Sequence, residues 1–198
     1  MKDGYKKIFW GVFIATFSIN LGMVKILPAF IGWMVVASGI SILEVKSDSV
    51  DYGTAKTISY VLVAITLVGG LLNVFGKINL SSHYMLLFYP LMVMLIELIL
   101  LHRIFEGSVQ SLESMENYSA SGVYVGKDRT YIILSGISII LVSITLFLNL
   151  DTLGFFAGIF ALVTRIYLLA AISSLGKEDW GGTDEMEEND YDPEHTSV

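Results

Sequence analysis

Two charged residues, Glu97 and Arg165, lie deep within long apolar runs, far from any predicted helix end. Glu97 falls about 13 residues, or roughly 20 Å, from the start of its run, and Arg165 about 12 residues, or roughly 18 Å, from the start of its own. A lone charge at the centre of an apolar helix in lipid costs some 2.5–3.5 kcal/mol even on insertion scales, so mutual pairing is the economical solution. The two runs point the same way and bring both charges to matching depth, which predicts a Glu97–Arg165 ion pair. Such a pair can do one of two things. It can line a binding or transport site for an ion or small molecule, or it can simply fix helix register.

Other chemistry is poorly represented. The chain has no cysteine and only three histidines, which removes disulfides, thiolate ligands and thiol nucleophiles and argues against a histidine-rich metal site. Ser38-Gly39 and Ser135-Gly136 lack the preceding Gly-x of an intramembrane serine-protease turn. His102 and Arg103 follow Glu97 closely, but the nearest other histidine, His83, falls at the opposite end of the same run, so no metal-protease constellation forms. No phosphate-cradling glycine loop or basic tract points to nucleic acid. No catalytic residue, metal or cofactor is expected.

The elements that must position the two charges follow from composition. The chain of 198 residues is 54% hydrophobic and 16% charged, with a mean hydropathy of +0.68; soluble domains carry nearer a quarter charged residues. About twenty apolar residues cross a hydrocarbon core of roughly 30 Å. Six stretches qualify: Ile8–Val24, Ile26–Leu43, Ile58–Phe75, Tyr84–Ile104, Tyr131–Leu150 and Leu153–Leu175. The predicted fold is an all-α, polytopic bundle of six spans in three hairpins, lying in the lipid bilayer, with the first span the shortest. Counting Lys and Arg in short loops puts nine residues on the side of the N-terminus and only Lys25 and Lys77 opposite, which places both termini in the cytoplasm. Trp10, Tyr60 and Tyr131 near one set of ends, with Trp33, Tyr84, Phe88 and Phe155 near the other, suit interfacial aromatic belts. The net charge of −7 resides at the C-terminus, where nine of the 19 acidic residues follow Leu175. Residues 176–198 are read as a disordered acidic tail.

Small and polar residues mark contacts. Gly11 and Ala15 in the first run, Gly32 and Gly39 in the second, and Gly154 and Gly158 in the sixth are predicted packing positions; Gly154, Gly158, Ala161 and Arg165 share one stripe. The Gly11 face could alternatively dock a partner protein. Pro90, Val93 and Glu97 share a stripe in the fourth span, where Pro90 is expected to kink the helix. Asn20, Asn73 and Asn149 each stand near the far end of an odd-numbered span, a weak internal repeat or a set of helix stops. Phe105, Val109, Leu112 and Met115 recur at helical spacing, so the fourth span is expected to continue as an amphipathic helix near the headgroups within a long Phe105–Thr130 connection.

The opening Phe9-Trp10-Gly11, followed by Ile26-Leu27-Pro28-Ala29-Phe30-Ile31-Gly32-Trp33, resembles the start of a family of small multipass membrane proteins of Gram-positive bacteria. The likeness covers about the first forty residues in motif and the rest in hydropathy and size. In members with acidic residues around the first turn and after the proline, the matching places here hold Asn20 and Ala29. The family carries no assigned activity, so the resemblance implies a multipass protein of a bacterial cytoplasmic membrane and not a reaction. The leading expectation is a small-molecule or ion binding or transport component. The alternative is a regulatory or assembly subunit, docking another membrane protein through the Gly11–Gly22 face and the Phe105–Thr130 segment. An intramembrane hydrolase has the least support.

Overall fold

A computed structural model describes residues 1–17, 20–21, 24–25, 29–47, 50–75 and 84–180. Six helices account for nearly all of it: α1 (Lys2–Thr16), α2 (Ala29–Lys46), α3 (Gly53–Phe75), α4 (Tyr84–Ser114), α5 (Tyr118–Leu148) and α6 (Asp151–Leu175). Two short strands, β1 (Asn20–Leu21) and β2 (Val24–Lys25), pair antiparallel between α1 and α2. Five helices, α2 to α6, are long and apolar enough to cross a membrane.

The first predicted span is corrected. Its helix begins earlier and ends at Thr16, with Phe17 already out of helical geometry, so its 15 residues rise only about 22 Å. Asn20 competes with helix for backbone hydrogen bonds and β-branched Val24 favours an extended backbone, in keeping with the strand pair there. The long polar connection is corrected in part: the fourth span does continue into it as helix, as expected, but so does the fifth. Helices α4 and α5, of 31 residues each, extend through it and meet at a turn of three residues. Glu116 adopts φ 60°, the Asn117 amide donates to the Leu112 carbonyl at 3.0 Å, and the Asn117 side chain accepts from the Ala120 amide. One helix is thereby closed and the next capped within four residues.

Each helix packs on its chain neighbours, and α6 packs on α1, so the six close into a ring with the start of α1 and the end of α6, here called the termini end, on one side. The α1–α2 contact is the most extensive, and glycines explain it. A Cβ at Gly11 would lie 2.7 Å from the Gly32 carbonyl oxygen, one at Gly32 would lie 2.5 Å from the Ala15 amide, and one at Gly39 would lie 2.7 Å from the Gly4 carbonyl oxygen. Gly4 and Gly11 oppose Gly39 and Gly32 across the antiparallel pair, one heptad apart on each helix. Gly11 and Ala15 are thus engaged within the chain, while Ser18 and Gly22 of the same face lie outside the described residues. A Cβ at Gly154 would lie 3.0 Å from the Thr145 methyl, but one at Gly158 would meet nothing within 4 Å, and Gly158 is exposed and is not a packing position.

Around the termini the ring is filled with aromatic and hydroxyl side chains. Tyr5, Tyr52, Phe105, Leu112 and Tyr124 are fully enclosed. The Tyr5 hydroxyl donates to Ser108 at 2.8 Å, Ser108 donates to the Ile104 carbonyl at 2.6 Å, and Tyr52 and Ser47 both lie 3.3 Å from Ser111. Burial pushes the phenols of Tyr5 and Tyr52 above their ordinary pKa, so both stay protonated donors. Of the stripe expected near headgroups, Phe105 and Leu112 are buried in protein and Val109 packs against the same core, while Met115 at the turn is exposed. Residues 176–180, read as the start of a disordered tail, instead pack on the bundle: Trp180 is buried, stacks on Tyr5 with ring centroids 5.0 Å apart and donates to the Leu175 carbonyl, while residues 181–198 lie outside the described residues.

Trp10, Tyr60, Phe88 and Phe155 are exposed, as belt residues should be, whereas Trp33 and Tyr131 are buried between helices.

Candidate functional site

Helices α4 and α6 bring the two intramembrane charges together. Arg165 Nη2 donates to Glu97 Oε2 and Nη1 faces Oε1, giving a two-pronged guanidinium–carboxylate pair. The partners are unequally enclosed: the Glu97 side chain retains 3% of its exposure and that of Arg165 24%. Arg165 therefore has an open side.

That side gives onto a cavity of about 140 Å³ lined by α4, α5 and α6. Besides the ion pair, its polar lining is Tyr131, Ser135, Ser138 and Thr164, all four buried; Met94, Ile139, Val142 and Ala161 supply apolar wall. Thr164 donates its only hydroxyl hydrogen to the Phe160 carbonyl at 3.0 Å, so in the 3.3 Å contact between Ser138 and Thr164 the serine is the donor. Ser138 then retains acceptor capacity beside the pair. Four hydroxyls around a neutral ion pair can replace part of the hydration shell of a small ion, or hold the polar groups of a solute only a few atoms in size. The volume lies below the 300–1,000 Å³ of sites for larger ligands and would take about four waters at liquid density.

Sequence reasoning singled out the pair and missed its surroundings. Tyr131, Ser135 and Ser138 stand at i, i+4 and i+7, one face of α5, which was the available signal. Ser135 and Ser138 are buried, the latter against Thr164 of α6, while a Cβ at the half-buried Gly136 between them would meet nothing within 4 Å. Pro90 is exposed while Glu97 is buried, although the two share a helix face, because the far end of α4 has fewer neighbours; α4 runs on through the proline without a break in its helical assignment. The three asparagines do not form a structural repeat. Asn20 lies in β1, Asn73 in the last turn of α3, and Asn149 closes α5 in the left-handed conformation at φ 51°.

Nearer the termini, His102 Nδ1 lies 2.8 Å from Asp128 Oδ2, tying α4 to α5. Glu44, at the same spacing from Asn20 as Glu97 from Asn73, instead pairs with Lys56 at 2.7 Å, outside the cavity. Ser38 is exposed and accepts from Lys7 at 3.1 Å. Among the described residues, no group of three His, Cys, Asp or Glu is placed to hold a metal. Comparison with protein-family models, curated proteins and solved structures gives no match.

Proposed function

We propose that this chain is a multipass component of a bacterial cytoplasmic membrane that binds or transports an ion or very small solute at the Glu97–Arg165 cavity. The observation that carries the reading is the cavity itself, whose wall is largely apolar but presents four buried hydroxyl residues beside the ion pair. A pair serving only to fix register would be expected to be enclosed by side chains on all sides, whereas this one borders a cavity and leaves Arg165 partly exposed. An anion would compete with Glu97 for the guanidinium, and a cation would compete with Arg165 for the carboxylate. Either exchange could be coupled to helix movement, because α4 and α6 each carry one partner. The concentration of Lys and Arg at the termini end supports a cytoplasmic location for both termini, and α1 with the β1–β2 pair supports a sixth, shorter entry into the bilayer. The likeness of the first forty residues to a family of small membrane proteins of Gram-positive bacteria agrees with that setting.

The test is direct. Protein purified from native membrane should carry a small species visible by native mass spectrometry, or gain thermal stability from one of sodium, potassium, chloride, acetate or glycine. The gain should vanish in Glu97→Gln and in Ser138→Ile, which fills the cavity. A wild-type chain that carries nothing and responds to none of the five, or a gain that survives both substitutions, rules the site out.

A further inference from the structure

A second cleft, of about 400 Å³, opens at the termini end between the first turns of α1 and the last turn of α6. Its charged lining is Lys2, Lys6 and Lys177 against a single carboxylate, Asp3. All three lysines are exposed, and among the described residues none is engaged in an ion pair. Ser173 adds a hydroxyl, and the enclosed Tyr5 forms part of the wall. The C-terminal carbonyls of α6 oppose an anion here and the N-terminal end of α1 favours one, so the balance is set by the lysines.

The cleft continues into an apolar track. Phe9 and Ile172 line its wall, and from Phe9 the rings of Phe13 and Phe17 follow at successive helical turns, with centroid separations of 6.5 and 4.8 Å. Phe13 and Phe17 are exposed on the flank of α1. Cationic side chains at the end of the bundle, leading to an aromatic rail that runs toward its middle, match the two halves of an anionic phospholipid: phosphate headgroup and acyl chain.

We propose that the α1–α6 cleft is a binding site for the phosphate headgroup of an anionic phospholipid, whose chain lies along Phe9, Phe13 and Phe17. The lipid would bridge the first and last helices. Free inorganic phosphate shares the headgroup chemistry but lacks the chain, and the acidic residues after Trp180 are a competing occupant from within the protein.

Delipidated full-length protein should be titrated with phosphatidylglycerol and, separately, with phosphatidylcholine, and bound lipid counted by native mass spectrometry. Phosphatidylglycerol is expected to bind and to raise the melting temperature. Lys2→Gln, Lys6→Gln and Lys177→Gln together should weaken it by about tenfold or more, since each basic side chain near anionic lipid contributes several-fold. Neutralising Lys7, Lys46 and Arg129, outside the cleft, should weaken it far less; equal loss in the two triple variants would overturn the site in favour of general attraction. Phe13→Ser should weaken the lipid and leave any effect of inorganic phosphate untouched. Protection by inorganic phosphate with none by phosphatidylglycerol would overturn the lipid assignment. So would binding of phosphatidylglycerol that appears only after truncation at Trp180, which would give the cleft to the acidic segment.

Discussion

At the termini end of the bundle Tyr5, Tyr52, Phe105, Leu112 and Tyr124 are wholly enclosed, and hydroxyl contacts cross from helix to helix. Toward the other end no residue of α5 beyond Ser138 is buried, and Phe147, Leu148, Phe155 and Phe156 retain more than half their exposure. Composition alone does not explain the difference, since both ends are rich in aromatic and aliphatic side chains. What differs is the partner. At one end the helices extend past the thickness of a hydrocarbon core and use directional contacts between hydroxyls and rings; at the other they offer apolar faces that lipid solvates as well as protein does. The Glu97–Arg165 pair sits where the first regime gives way to the second, and the hydroxyl-lined cavity lies beside it.

The comparison breaks most readily at that boundary. Glu97→Gln leaves a guanidinium with 24% exposure and no counter-charge, a loss of about 3 kcal/mol at the lower end of the range for broken buried pairs. The double variant Glu97→Gln with Arg165→Met should regain most of that stability in a detergent melt and none of the ligand response. Next comes the seam between α1 and α2. Gly32→Leu drives a side chain into the α1 backbone and should cost about 2–3 kcal/mol or abolish expression, while Gly158→Leu in the open end should stay within about 0.5 kcal/mol of wild type. The smallest effect belongs to single hydroxyls. Tyr5→Phe removes the donor to Ser108 and should cost about 1 kcal/mol near neutral pH.

The same residue sharpens the contrast through pH. A phenol whose pKa is raised by folding contributes stability that is whole below its ordinary value of 10 and lost as pH climbs toward the folded pKa, because the unfolded chain ionises first. An alkaline melt series should therefore show stability falling above pH 10, with a shallower fall in Tyr5→Phe. An identical slope in the two proteins would show that the termini end does not control alkaline unfolding.

Much of this was legible in the residues. Long apolar runs located the helices, and helical rise placed Glu97 and Arg165 at one depth. Boundaries outside the apolar runs were not legible, because hydropathy reports the solvent a segment faces and says little about helix that faces other protein. Phe105, Val109 and Leu112 carry the period of a helix, yet a stripe facing headgroups and a stripe facing the protein core look alike until the neighbours are known. The small-residue rule succeeded at Gly11, Gly32 and Gly39 and failed at Gly158 for a related reason: a glycine permits close approach without demanding it. Gly4 could have been found from its heptad spacing to Gly11, which mirrors that of Gly32 and Gly39.

The stacking of Trp180 on Tyr5 sets an order of events during synthesis. Tyr5 leaves the ribosome before its ring partner, which lies 175 positions later, so one flank of α1 stays uncovered until α6 and Trp180 have been made. A nascent chain halted before α6 is a ring with a gap on that flank, and one halted between α6 and Trp180 lacks the ring that stacks on Tyr5. The segment through Trp180 is therefore the latch that completes the cover over the enclosed tyrosine.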